Sequence, residues 1–168
     1  MAFYSYVAGR TGRAPHIVIL AVEPPLPTLA KVRIRKRGPE ITVEIQASGP
    51  MPQSLVKSVE GVVDLLGLQA GWNSYSAKPI EPRNAIRAVQ LLFELLGSVT
   101  PQPIVVPTPR GGIQLEWHTQ GVNIEVYINS PTDISFFAEQ LGSSESTEQP
   151  LANHEDELKS WLERICRD

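Results

Sequence analysis

Sulfur is scarce in this chain, which holds one cysteine, Cys166, and two methionines. A single thiol excludes an internal disulfide framework and makes a reducing cytoplasm the expected compartment. Histidine is nearly as rare: His16, His118 and His154 are scattered along the sequence. None has a neighbouring histidine or cysteine at the spacing a zinc site requires. Long apolar runs are missing as well. Ile17–Val22 falls far short of the ~20 residues that cross a bilayer. It also lacks the length and small-residue cleavage site of a secretory signal, so it reads as a buried strand. There is no complete nucleotide or catalytic motif, and no cofactor is expected.

What is present is an ordinary globular composition. Of 168 residues, 42% are apolar and 20% charged, enough for one domain with a real core and no covalent staples. The net charge of −3 is unevenly spread, since residues 133–168 carry nine carboxylates against three bases. That leaves the remainder weakly basic, a poor match to the strongly basic stripe of a nucleic-acid binder.

Residues 1–15 are expected to be loosely held. After the Ile17–Val22 strand, the prolines of Glu23–Leu29 force an extended connector. Lys31–Arg37 and Glu40–Ala47 each alternate polar and apolar residues around Gly38-Pro39, predicting an antiparallel hairpin. From Gln53 the period changes. Leu55, Val56, Val59, Val62, Val63 and Leu66 predict a helix stopped by Gly67. Pro82 opens a second, with Ile86, Val89, Leu92, Phe93 and Leu96 inward and Gly97 as its stop.

Alternation then returns. A short strand at Pro103–Pro107, the turn Arg110-Gly111-Gly112, and strands around Ile113–Trp117 and Val122–Ile128 predict a meander, with Ser135–Ala138 adding to it. Gly142–Pro150 has the composition of a polar linker. Asp156–Arg167 predicts an amphipathic helix. The expected fold is α+β: an antiparallel or mixed sheet covered on one face by two consecutive helices, plus a C-terminal helix. Residues 16–141 would form the domain, 142–152 a tether and 153–168 the last helix.

Four groups of residues are candidates for function. The loop Gly67–Pro79, GLQAGWNSYSAKP, places Trp72 and Tyr75 between two helices. Trp72 either fills the interhelix space, with Asn73 or Ser74 capping the second helix, or joins Tyr75 in contacting a partner. Leu158, Trp161, Leu162 and Ile165 share one face of the last helix, which docks on its own sheet or in a partner's groove. Glu116, His118 and Glu125 fall on one polar strand face; they form either a solvated surface or the acid–base pair or partial metal site of a small hydrolase. Arg33, Arg35 and Arg37 share one face of a basic strand, which guards a sheet edge or contacts phosphates.

The segments Gly71–Pro79 and Pro107–Trp117 (PTPRGGIQLEW) together resemble a family of small, uncharacterised bacterial proteins. These carry a Gly-Trp-Asp-x-Tyr-x-Ala-x-Pro segment followed by a Gly-Gly strand ending in Leu-Glu-Trp. The resemblance spans residues 65–130, and the chain departs from it at Asn73 and Ser76. It implies a bacterial or phage-like cytoplasmic protein and no particular activity. The functional expectation is a non-enzymatic interaction protein: a subunit, regulator or adaptor. Its partner would be another protein, such as the product of a neighbouring gene, or a second copy of the chain. Nucleic acid and membrane are disfavoured.

Overall fold

The structure is a computed structural model that describes residues 52–166 in full and, before them, the backbone of four strands. Those strands are β1 (Ala2–Ala8), β2 (His16–Ile19), β3 (Lys31–Arg37) and β4 (Glu40–Ala47). They form an antiparallel sheet in the order β2-β1-β4-β3. The expected β3–β4 hairpin is present, with Arg33 opposite Glu44 and Arg37 opposite Glu40. β3 is an edge strand of this sheet and runs beside the second helix. The segment expected to be loose instead supplies β1, paired on both sides. The side chains of Arg33, Arg35 and Arg37 lie outside the described residues, as does the Gly38-Pro39 turn.

Two helices follow, α1 (Gln53–Leu65) and α2 (Pro82–Leu95). α1 buries Leu55, Val59, Val62 and Val63, as its spacing predicts. Its midpoint Gly61 faces Val105 so closely that an added Cβ would sit 3.4 Å from that side chain. Gly67 is not left-handed; its amide donates to the carbonyl of Asp64, so α1 unwinds through a tight last turn rather than a glycine cap. α2 is rotated relative to expectation. Val89, Leu92 and Leu96 are buried as expected, but so are Ala85, Ala88 and Leu91, while Ile86 and Phe93 are only half-buried. Small alanines let the helix axis approach the sheet, so size of contact rather than hydrophobicity chose the face.

A second antiparallel sheet is built from β5 (Ile104–Pro107), β6 (Ile113–Thr119), β7 (Val122–Ser130), β8 (Asp133–Gln140) and β9 (Ser146–Pro150), in that order. Its inner face carries Ile113, Leu115, Trp117, Ile124, Val126, Ile128, Phe136 and Ala138, all buried. The expected α+β class holds, with two sheets where one was anticipated. β9 corrects the linker: Ser146–Pro150 pairs along β8, Glu148 opposite Phe137. It contributes no buried side chain of its own, so backbone hydrogen bonding alone specifies it and no hydrophobic pattern advertised it.

The last helix, α3 (Glu155–Ile165), folds back on β7 and β8. Leu158, Trp161, Leu162 and Ile165 are each at most 4% exposed, burial worth about 2–3 kcal/mol per side chain. Arg164 lies over the Trp161 ring at 3.9 Å and forms an ion pair at 2.6 Å with Glu145 in the β8–β9 connection. The four residues expected to offer a partner surface are thus spent on the chain's own core.

The second sheet and α2 meet at Asn84. Its side-chain amide donates to the carbonyls of Gly111 (3.0 Å) and Asn129 (3.1 Å). Asn129 is the extra residue of a bulge between β7 and β8. Gly112 presses against the same place: a Cβ there would stand 2.6 Å from the Ile128 carbonyl. At the β6–β7 turn, Gln120 and Gly121 both take positive φ, 53° and 72°, the primed two-residue geometry that suits a hairpin's twist.

Two stability predictions follow from these positions. Asn84→Ala removes the side-chain donor from the Asn129 carbonyl, while Gly111 O keeps the Glu81 amide, and should lower unfolding free energy by about 1–3 kcal/mol in urea titration. A loss under about 1 kcal/mol would show that water takes the amide's place. Gln120→Asn, better suited to positive φ, should raise stability by about 0.5–1 kcal/mol; a decrease would contradict the turn assignment.

Candidate functional site

The loop between α1 and α2 is held in shape by its own polar groups. Gly71 N–H donates to Ala77 O at 2.8 Å, and the Asn73 side-chain oxygen accepts from Tyr75 N–H at 3.0 Å and Ala77 N–H at 3.3 Å. The Trp72 indole donates to Lys78 O at 3.0 Å. Gly71 and Ser74 take φ of 75° and 65°, the left-handed conformation that the Asn73 bridges support at a non-glycine residue. Beyond the loop, Lys78 N–H donates to Pro109 O and Glu81 N–H to Gly111 O. The loop is thereby fastened to the β5–β6 turn.

Trp72 is half-buried, less enclosed than Trp117, whose N–H reaches Pro101 O at 2.9 Å, and Trp161. Asn73 braces the loop rather than capping α2, whose N-cap Glu81 makes no side-chain cap. Tyr75 stands 83% exposed. Only an oxygen acceptor is used at position 73, so asparagine serves there without a carboxylate's charge.

The second surface is the outer face of the β5–β9 sheet, opposite the helices. Strand register lines up Ile104, Glu116, Glu125, Phe137 and Glu148 in one row across it. The adjoining row runs His118, Asn123, Glu139 and Ser146. Two hydrogen-bonded groups cover this face. Glu125 Oε2 accepts from Gln114 at 2.9 Å and from the Tyr127 hydroxyl. In the other, Asn123 donates to Glu139 at 2.7 Å, which turns the Asn123 oxygen toward His118 Nδ1 at 3.0 Å, while Glu116 meets His118 Nε2 at 3.1 Å.

His118 is consequently flanked by two acceptors, which only the doubly protonated ring satisfies. The Asn123 hydrogen bond and then that to Glu116 raise its pKa above the ordinary 6.5. Tyr127 is pushed up to about 12, first by burial and then by its bond to Glu125 and the surrounding carboxylates. The register does bring Glu116, His118 and Glu125 together as expected. On this face Glu116 and Glu125 are half-buried and His118 is exposed. Among the described residues no three His, Cys, Asp or Glu side chains gather closely enough to hold a metal.

A depression of about 520 Å³ between the start of α1 and the residues after α2 is lined by Pro52–Ser54 and Ser98–Gln102. None of these side chains titrates near neutral pH. Cys166, in the last turn of α3, is half-buried.

The His118 bridge makes a signed prediction. Its NMR titration midpoint should lie above 6.5 and fall in Asn123→Ala and, less, in Glu116→Gln. The raised folded pKa means the bridge stabilises the fold fully below the unfolded value. That contribution fades as pH rises through the folded midpoint. Because the imidazole is exposed, it amounts to only a few tenths of a kcal/mol. A wild-type midpoint at or below the ordinary value would refute the double-acceptor geometry. Comparison of the chain with protein-family models, curated proteins and solved structures found no match, so function is argued from these two surfaces.

Proposed function

We propose that this is a non-enzymatic interaction protein that contacts a protein partner through the loop bearing Trp72 and Tyr75. The observation that carries the reading is the 83% exposure of Tyr75 on a loop whose polar groups are engaged in fixing its shape. A buried tyrosine contributes about 2 kcal/mol or more to a fold, and this one is held in water instead. Rigid tyrosine and tryptophan side chains supply contact area at low entropic cost, and both are enriched among residues that dominate binding energy. Trp72, half-buried in the same loop, adds a partly exposed indole.

A hydrolytic or metal-dependent role for Glu116, His118 and Glu125 draws less support, because an exposed imidazole on a flat sheet neither excludes water nor encloses a substrate. Nucleic-acid binding through Arg33, Arg35 and Arg37 rests on sequence charge alone. The family resemblance stays part of the proposal: its two segments, Gly71–Pro79 and Pro107–Trp117, are the ones joined by the Lys78–Pro109 and Glu81–Gly111 hydrogen bonds.

The test is co-purification with the products of adjacent genes, using wild type and Tyr75→Ala as paired baits. The exposed substitution should change stability by no more than about 0.5 kcal/mol. It should weaken a copurifying partner about tenfold or more. Equal recovery by both baits would remove the loop from the interface, and recovery by neither would remove the reading itself.

A further inference from the structure

We propose that the partner segment docking on the Trp72–Tyr75 loop is acidic: an aspartate- or glutamate-rich stretch of protein whose carboxylates meet Lys78, Arg83 and Arg110. The inference rests on the reading of that loop as an interface and adds the chemistry of what it takes. Backbone bonds bring the three cations to one place. Lys78 N–H donates to Pro109 O at 2.9 Å, and Gly111 O accepts from both Glu81 N–H and the Asn84 side chain at 3.0 Å. Arg110 lies between the two accepting residues, and Arg83 lies between the two that donate to Gly111. All three cationic side chains are exposed. The Trp72 indole donates to Lys78 O at 3.0 Å, so the aromatic and basic groups belong to one surface.

The fold does not use this charge. Arg87, Lys159 and Arg164 each have a carboxylate at 2.9, 3.7 and 2.6 Å. Lys78, Arg83 and Arg110 form no ion pair among the described residues. The loop Gly67–Pro79 and the turn at 108–112 contain no carboxylate, and Glu81 is the one acid between them. The chain as a whole is acidic, at −3, with nine carboxylates against three bases in residues 133–168. A locally positive field therefore coincides with the 83% exposed Tyr75, and the two features are independent of each other. Such a field steers and orients a partner of opposite sign.

Carboxylates answer the surface best. They fork onto the guanidinium groups of Arg83 and Arg110 and pair with the Lys78 ammonium, while apolar side chains of the same segment cover Tyr75. An uncharged partner would strip water from three cations and return nothing. Single-stranded nucleic acid would satisfy the cations too, but it binds on successive open rings. Here Tyr75 alone is open, since Trp72 is half-buried with its N–H engaged.

The test titrates full-length protein, at physiological salt, with peptides of one length that repeat Glu-Glu-Leu, Gln-Gln-Leu or Lys-Lys-Leu, and with oligothymidylate. The glutamate peptide should shift the NMR signals of the Trp72 indole, Tyr75, Lys78 and Arg110. It should bind about tenfold more tightly than the glutamine peptide. Lys78→Gln combined with Arg110→Gln should remove that advantage with the thermal transition unchanged, whereas Lys57→Gln on α1 should not. Absence of glutamate-peptide binding would overturn the proposal. So would equal affinity for the glutamine peptide, equal weakening by Lys57→Gln, or tighter oligothymidylate binding at the same residues.

Co-purification with the Lys78/Arg110 double variant as a third bait separates this inference from the reading beneath it. A partner lost by Tyr75→Ala and by the double variant supports both. A partner lost by Tyr75→Ala yet fully kept by the double variant overturns the acidic segment and leaves the loop as the interface. A partner kept by both variants removes the two together.

Discussion

One side-chain amide holds α2 to the sheet. The two N–H groups of Asn84 run to a carbonyl in the β5–β6 turn and a carbonyl at the β7–β8 bulge. An asparagine three positions into a helix is a poor helix former; here its side chain bonds two carbonyls outside the helix. Gly111 is used twice, since Glu81 N–H donates to the same oxygen. The helix start, a turn and a bulge are thereby fixed to one another. Gly112 completes the joint, because the room any larger residue would need is already taken by Ile128 O and Thr108 Oγ1.

From that joint the rest of the surface follows. With Glu81 and Lys78 fastened to the β5–β6 turn, the chain between α1 and α2 has both ends fixed. Its remaining freedom is removed by Asn73 and the Trp72 indole. Tyr75 lies in this loop and is 83% exposed. On the sheet, α1, α2 and α3 all pack on one face, and the hairpin closed by Gln120 and Gly121 keeps the register that puts Glu116 opposite Glu125. The fold therefore leaves Tyr75 in water and a row of half-buried carboxylates on the outer sheet face.

What could be read from sequence and what could not divide along physical lines. Strand alternation from Ile113 to Ile128 was legible because each buried side chain skips a residue, and the terminal helix was legible from Leu158, Trp161, Leu162 and Ile165. The face of α2 was misread because alanines at 85 and 88 bury completely without a hydrophobic signature. β9 gave no signal at all, being a strand of Ser, Thr, Glu, Gln and Pro held by backbone pairing. Pattern alone did not say that Trp72 would be less enclosed than Trp117 and Trp161. Asn84 was invisible for a different reason: its partners lie 27 and 45 residues away. A signal was available in the paired turn glycines at 111 and 112, since a backbone that must be approached so closely implies something approaching it.

The two surfaces differ in how they bear on stability. Exposing Tyr75 forgoes burial, but no repulsion is created, so the loop could be smoothed at little consequence for the fold. Opposing Glu116 and Glu125 places like charges side by side within a sheet that α2 and α3 cover from the other face. Protonated His118 answers part of that repulsion through Glu116; Glu125 receives only neutral donors, from Gln114 and Tyr127. Tyr127, one of those donors, is held protonated far above neutral pH.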